Sequence, residues 1–229
     1  MSYHDLCEIS AYPTDMNDQV VIIGSSCRLP GGVNKTSQIW NSFLEGDNKL
    51  SSSPPASRAF DINASHNADE IGKAGWISDD GVVSFDPSFF RISPAEAVIL
   101  RPSTRLALEL TWEALESAGI PPSSLRGGNV SVSIGVGTED GWDLKRYSDE
   151  GDNAFDSHWA ASSDPSGVSG HVSHFFGFRG PASVISSACS SAAFSLRDGE
   201  IVCITYVCTE SHILSKVFNH SYTTVVILL

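Results

Sequence analysis

Cys189 stands in the run Ser186-Ser187-Ala188-Cys189-Ser190-Ser191-Ala192-Ala193-Phe194, a thiol set among small residues. A thiol placed where a helix begins sees the partial positive charge of backbone N–H groups that lack a helical partner, and this favours the nucleophilic thiolate. Small neighbours allow a substrate carbonyl to approach the Cys189 backbone N–H, which could then serve as an oxyanion-hole donor. These residues alone also allow a buried structural cysteine, because a free thiol often behaves as a small hydrophobe.

For the first reading to hold, the flanking elements must present the thiol. Ser183 to Ile185 is a short β-prone run, and Ser190-Ser191-Ala192-Ala193 reads as the first turn of a helix, so the chain predicts a strand-to-helix elbow. Upstream, Val20 to Gly24 is a continuous apolar run, as expected of a strand buried on both faces of a sheet. Asn34 is placed to cap a helix that buries Ile39, Trp40, Phe43 and Leu44, with Gly46 as its stop. From Leu50 to Asp86 the chain is irregular, with Trp76 and Ile77 as isolated anchors, and the cluster Phe85, Phe89 and Phe90 calls for burial.

Ser93 and Glu96 have capping-box spacing ahead of a helix that Pro102 breaks or restarts. The following stretch, Ser103 to Ala118, carries Leu106, Leu110, Ala114 and Ala118 on one stripe and Leu108, Trp112 and Leu115 on another; Gly119 and Pro121-Pro122 end it. Val130 to Val136 alternates as a strand does, and the acidic stretch Glu139 to Asp156 reads as a solvated face. His158, His171 and His174 lie between that stretch and the elbow, where a Cys–His arrangement would matter, yet they read as ordinary, partly buried histidines.

At 229 residues and 41% apolar, the chain can bury a core. Its 27 acidic against 14 basic side chains, net −13, disfavour a nucleic-acid backbone or an anionic membrane as partner. Five irregularly spaced cysteines, with only Cys203 and Cys208 near metal-ligand spacing, fit a reducing, cytoplasmic setting and predict no metal site and no bound cofactor. Residues 1–18 are polar, lack a basic start and an apolar centre, and read as a disordered leader.

Several segments carry a resemblance. Gly180-Pro181 followed by Ser187-Ala188-Cys189-Ser190-Ser191 resembles the active-site segment of β-ketoacyl synthase (ketosynthase) domains of type I polyketide synthases, with the fungal iterative kind expected. Val21-Ile22-Ile23-Gly24 and Cys27-Arg28-Leu29-Pro30-Gly31-Gly32 are similar to the family's first strand and the loop after it, a turn that makes Cys27 a packed thiol. Phe89-Phe90-Arg91-Ile92-Ser93-Pro94-Ala95-Glu96-Ala97 and Trp112-Glu113-Ala114-Leu115-Glu116-Ser117-Ala118-Gly119-Ile120 resemble two further segments in the family's order. Departures are local. Arg101-Pro102-Ser103-Thr104-Arg105 keeps only the proline and final arginine of the family's Asp-Pro-Gln-Gln-Arg, Ser186 replaces a common Asp, and His171 and His174 stand where the family has Arg and Tyr.

The resemblance implies an α/β, thiolase-like fold of which the chain holds the N-terminal half, over residues 19–199. It implies Cys189 as acyl-thioester nucleophile with its backbone N–H as oxyanion donor. Phosphopantetheine-carried acyl groups on a separate acyl carrier protein would be the substrates, and a homodimer through the ketosynthase interface is the implied assembly. The reaction implied is acyl transfer followed by decarboxylative condensation, as in polyketide and fatty-acid-like biosynthesis; the family's two assisting histidines belong to its second half. Such a half should expose apolar helix faces, for example Leu106, Leu110 and Trp112, and be marginally stable. A non-catalytic remnant or dimerisation module, and another Cys-dependent acyltransferase using His158 or His174, are the alternatives.

Beyond the elbow, Ser195-Leu196-Arg197-Asp198-Gly199-Glu200 resembles the end of the family's nucleophile helix but follows Cys189 too closely, by a turn or more. Residues 200–229 contain no Pro, Ala, Gly or Asp and read as a divergent, non-family tail, whose Val225 to Leu229 is too short to span a bilayer and is aggregation-prone. This composition predicts a truncated, inactive product with a non-coding or frameshifted tail. Transcript sequencing across codons 190–229 should then show a family-like frame downstream; an unbroken reading of the tail with no such frame would contradict it.

Overall fold

A computed structural model describes residues 22–51, 74–78, 84–136, 164, 166–199 and 223–228. In chain order its elements are α1 (Thr36–Glu45), β1 (Leu50–Ser51), β2 (Ala74–Gly75), α2 (Pro94–Ile99), α3 (Pro102–Ser117), the single turn α4 (Pro122–Leu125), β3 (Val130–Gly135), α5 (Gly167–Phe176), β4 (Ala182–Ile185), a 3-10 turn (Ala188–Ser190) running into α6 (residues 191–199), and β5 (Thr223–Leu228). The leader, the acidic stretch, His158, Cys203 and Cys208 lie outside the described residues.

Local sequence sets most boundaries. The Ser93 hydroxyl accepts the Glu96 N–H at 3.2 Å, capping α2, and Pro94 takes its first position, where a missing N–H costs nothing. Pro102 opens α3, so the chain breaks between the two helices, and Arg105 Nη2 spans the break by donating to the Ala97 carbonyl at 2.8 Å. The start of α1 differs from expectation. Lys35, not Asn34, is the cap residue, and the Gln38 side chain accepts the N–H groups of both, while Gly46 in the left-handed region ends the helix as its sequence position suggests.

β3 is the centre of a three-stranded parallel sheet with order β4-β3-β5. All six of its residues are buried, and its two faces differ. Val130, Val132 and Ile134 join Leu108 and Leu115 of α3 and Val168, Val172 and Phe176 of α5 in the apolar core. An aromatic group closes one end: Phe85 stacks on Phe90 with centroids 5.1 Å apart, and Phe89 meets Trp112 edge-on at 4.8 Å. The opposite face of β3 carries Ser131, Ser133 and Gly135. Against it lies α6, burying Ser191 and Ser195 while exposing Phe194 and Leu196.

Three expectations are corrected. Helix α1 has no buried residue, and Trp40, Phe43 and Leu44 are 65%, 75% and 68% exposed, because no described element covers that face. The stripe expected to be bare is largely covered, with Leu110 buried and Leu106 and Trp112 half-buried. Ile22 to Gly24 form no strand, and Ile22 is 80% exposed. The edge of β3 opposite β4 is held by β5, which pairs from Val130↔Thr223 to Gly135↔Leu228.

His171 on α5 faces Glu96 of α2, Nδ1 to Oε1 3.9 Å, and burial lowers its pKa more than Glu96 raises it. A histidine depressed in the folded state is protonated first in the unfolded chain, so its contribution is full above the ordinary value of 6.5 and is lost as pH falls toward the folded value. Thermal melts of His171→Asn should therefore lose less stability than the parent between neutral pH and about pH 5, near the low end of histidine titration; an equal or greater loss would refute the assignment.

Candidate functional site

The end of β4 turns sharply into α6. Ser187 leaves the strand at φ −138° and ψ 41°, and Ala188 then adopts φ 54°, in the left-handed region. For a residue with a Cβ that conformation costs roughly 1–2 kcal/mol, so surrounding contacts must hold it. The serines on either side supply them. The Ser191 hydroxyl accepts the Ser187 N–H at 2.8 Å and donates to the Ala188 carbonyl at 2.7 Å, while the Ser190 hydroxyl donates to the Ser187 carbonyl at 2.7 Å.

Within the 3-10 turn the Ser190 N–H donates to the Ser187 carbonyl at 3.3 Å. The Cys189 N–H comes one residue earlier, among the donors that a helical start leaves without a helical acceptor. Cys189 is exposed. Its turn therefore sets an accessible thiol beside the backbone donors of a helical start, the kind of pair that attack on a carbonyl and stabilisation of the resulting oxyanion require.

Close packing fixes the turn against the sheet. A Cβ built on Gly135, the last residue of β3, would lie 2.6 Å from the Ser191 carbonyl oxygen, so only glycine admits this approach. At the other end of α6, Asp198 Oδ2 accepts hydrogen bonds from Ser183 Oγ of β4 at 2.6 Å and from Ser133 Oγ of β3 at 2.9 Å. Sequence reading missed this cluster. Its signal was present in the serines alternating along β3 and in the i, i+4, i+7 spacing of Ser191, Ser195 and Asp198.

The other polar residues singled out from sequence do not converge here. Cys27 is half-buried, its thiol directed at the Val33 carbonyl 3.9 Å away; burial pushes its pKa up, with Arg28 opposing and Glu113 adding to the rise. Arg28 forms a bidentate pair with Glu113 of α3, Nη1 to Oε2 2.8 Å. Among the described residues, neither His171 nor His174 is a hydrogen-bond partner of Cys189, and no helix is long and apolar enough to cross a membrane.

Residues 17–199 match the family described as "Beta-ketoacyl synthase, N-terminal domain". Mycoketide-CoA synthase of Mycobacterium tuberculosis is 38% identical over 204 residues, 83% of this chain and 5% of that protein. Erythronolide synthase EryA2 of Saccharopolyspora erythraea is 35% identical over 185 residues, 78% of this chain and 5% of that protein. Among solved structures, the oxazolomycin ketosynthase domain OzmH KS7 of Streptomyces albus is similar with a TM-score of 0.62 and 30% identity, over 79% of this chain and 32% of its own. The ketosynthase from module 6 of the bacillaene synthase of Bacillus subtilis has a TM-score of 0.62 at 23% identity, covering 80% of this chain and 28% of its own. The fold is thus the N-terminal part of the thiolase-like fold. This chain spans about a third or less of the solved ketosynthase chains and 5% of the two synthases. All four organisms are bacteria, and the expectation of a fungal iterative synthase finds no support in them.

Exposure and burial together rank the two described thiols. Iodoacetamide at mildly alkaline pH should modify Cys189 ahead of Cys27, whose thiol is hydrogen-bonded and raised in pKa. Peptide mapping with Cys27 labelled as fast as Cys189 would count against an accessible elbow.

Proposed function

The chain belongs to the β-ketoacyl synthase family, as the N-terminal part of a ketosynthase of the polyketide synthase type, and on that premise we propose that Cys189 accepts an acyl group from a carrier-protein thioester. The observation that carries this reading is the exposed Cys189 on the strained turn between β4 and α6, inside the matched segment. The Cys189 thiolate attacks the thioester carbonyl, the oxyanion is held by the Cys189 N–H, and collapse expels the phosphopantetheine thiolate of the carrier, leaving an acyl-cysteine. In a whole ketosynthase, malonyl carrier protein then loses carbon dioxide, and its carbanion attacks the acyl-cysteine, expelling the Cys189 thiolate and extending the chain by two carbons.

This chain, we further propose, stops after the first step. Decarboxylation builds enolate charge, and losing a single oxyanion-type donor costs about a hundredfold to a thousandfold in rate. By the resemblance, the two histidines that assist this step belong to the family's second half, and residues 17–199 match its N-terminal domain. The acyl carrier protein is the proposed partner, in the cytoplasm. A second reading, a non-catalytic interaction module that pairs with a second copy or a complete synthase, draws on the exposed apolar face of α1 at Trp40, Phe43 and Leu44.

Incubation with acyl and malonyl carrier proteins should give a Cys189 acyl adduct by intact-mass analysis and no β-ketoacyl product above that of Cys189→Ala. Cys189-dependent condensation would overturn the arrested-reaction reading. Absence of any adduct, with a stable dimer by light scattering, would favour the interaction module.

A further inference from the structure

We propose that Asp198 is a positioning residue for the Cys189 turn, setting how α6 seats on the sheet by accepting hydrogen bonds from Ser133 and Ser183 on the two neighbouring strands. Its catalytic consequence rests on the reading of Cys189 as the acyl acceptor. The geometry is a helix pinned at two places on one face. Near the thiol, Ser191 lies against Gly135 so closely that a Cβ there would be 2.6 Å from its carbonyl oxygen. Seven residues on, Asp198 Oδ2 holds both Ser183 Oγ at 2.6 Å and Ser133 Oγ at 2.9 Å. Between them Ser195 is fully buried, its hydroxyl returned to the Ala192 carbonyl at 2.9 Å.

No large apolar side chain on α6 locks this face to the sheet. Phe194 and Leu196 point away, 55% and 48% exposed, so against the strands among the described residues the helix is held by small-residue contact and by the carboxylate. Small residues fix the distance between two backbones but resist rocking weakly. A carboxylate shared by two strands resists it, because both donors sit on strands already hydrogen-bonded to each other along Val132↔Ala182 to Gly135↔Ile185. Releasing that end lets α6 pivot about Gly135. The Ser187–Ser191 bonds that hold Ala188 at its positive φ lie at the pivot, so the Cys189 thiol and N–H would lose their fixed relation.

Hydrogen exchange on the full chain tests this without requiring activity. In Asp198→Ala, and in Ser133→Ala/Ser183→Ala, amides of residues 187–195 should exchange about tenfold faster while those of residues 130–135 are unchanged, the mark of a local opening. Asp198→Asn, which keeps an acceptor oxygen, should stay within about twofold of the parent. Unchanged exchange at 187–195, or equal acceleration in β3, would overturn the proposal, the second outcome making Asp198 only a contributor to overall stability. In parallel, acylation of Cys189 by an acyl pantetheine thioester should fall about tenfold or more in Asp198→Ala, as misplaced reacting groups do. If the parent chain is not acylated at all, the acyl-acceptor reading fails, and the exchange data alone decide the role of Asp198.

Discussion

The close approach of α6 to β3 is the constraint on which the elbow depends. Two backbones meet at Gly135 and Ser191 with no room for a side chain between them, and the residues along the contact are serine, glycine and alanine. An apolar helix face would demand larger side chains and a wider spacing between layers. The small face brings the helix start directly over the end of the central strand, which places the preceding turn, with Cys189 in it, at the rim of the sheet. Strain at Ala188 is tolerated because the neighbouring serines satisfy the backbone groups that the turn leaves open.

This arrangement also explains why β3 carries two chemistries on alternate residues. Its valines and isoleucine seal the core beneath α3 and α5, while its Ser133 gives a hydroxyl to a carboxylate on the far side. Buried hydroxyls are costly when unsatisfied, and here Ser133 and Ser183 share a charged acceptor, the stronger kind of partner. The outward display of Phe194 and Leu196 is the complement of this choice: α6 spends its polar side on the sheet and leaves its apolar side uncovered among the described residues.

Much of the architecture is legible in the sequence because it is written in short-range rules. Ser93, Pro102, Gly46 and the alternation from Val130 act through neighbours within one or two turns, and each does in the structure what its local chemistry requires. The elbow itself is legible in the change of small β-prone residues into a helical start, and it stands between Ile185 and residue 191. What failed were judgements about which face is covered. The stripe Trp40, Phe43 and Leu44 has helical periodicity, but periodicity says only that residues share a side, not that another element lies against it. Of the apolar run Val20 to Gly24, the described residues Ile22 to Gly24 lie in no strand, and a strand has two edges, those of β3 being filled by β4 and β5. The Asp198 cluster was invisible for a related reason: its three members sit on three elements, 50 and 15 residues apart along the chain.

The β3–β5 pair joins segments that lie roughly ninety residues apart, from Val130↔Thr223 onward. Closing such a loop loses chain entropy that no local helix contact has to lose, and the loss falls due before the ladder of hydrogen bonds can repay it. The central strand must therefore spend the early part of folding as an open edge, already shaped by β4 and α5 but unpaired on its other side. Collapse onto α3 and α5 sets the rate at which the apolar core appears, whereas capture of β5 sets how long that edge can recruit the same strand from another molecule. For this fold, protein concentration during refolding is thus as decisive as the temperature at which it is attempted.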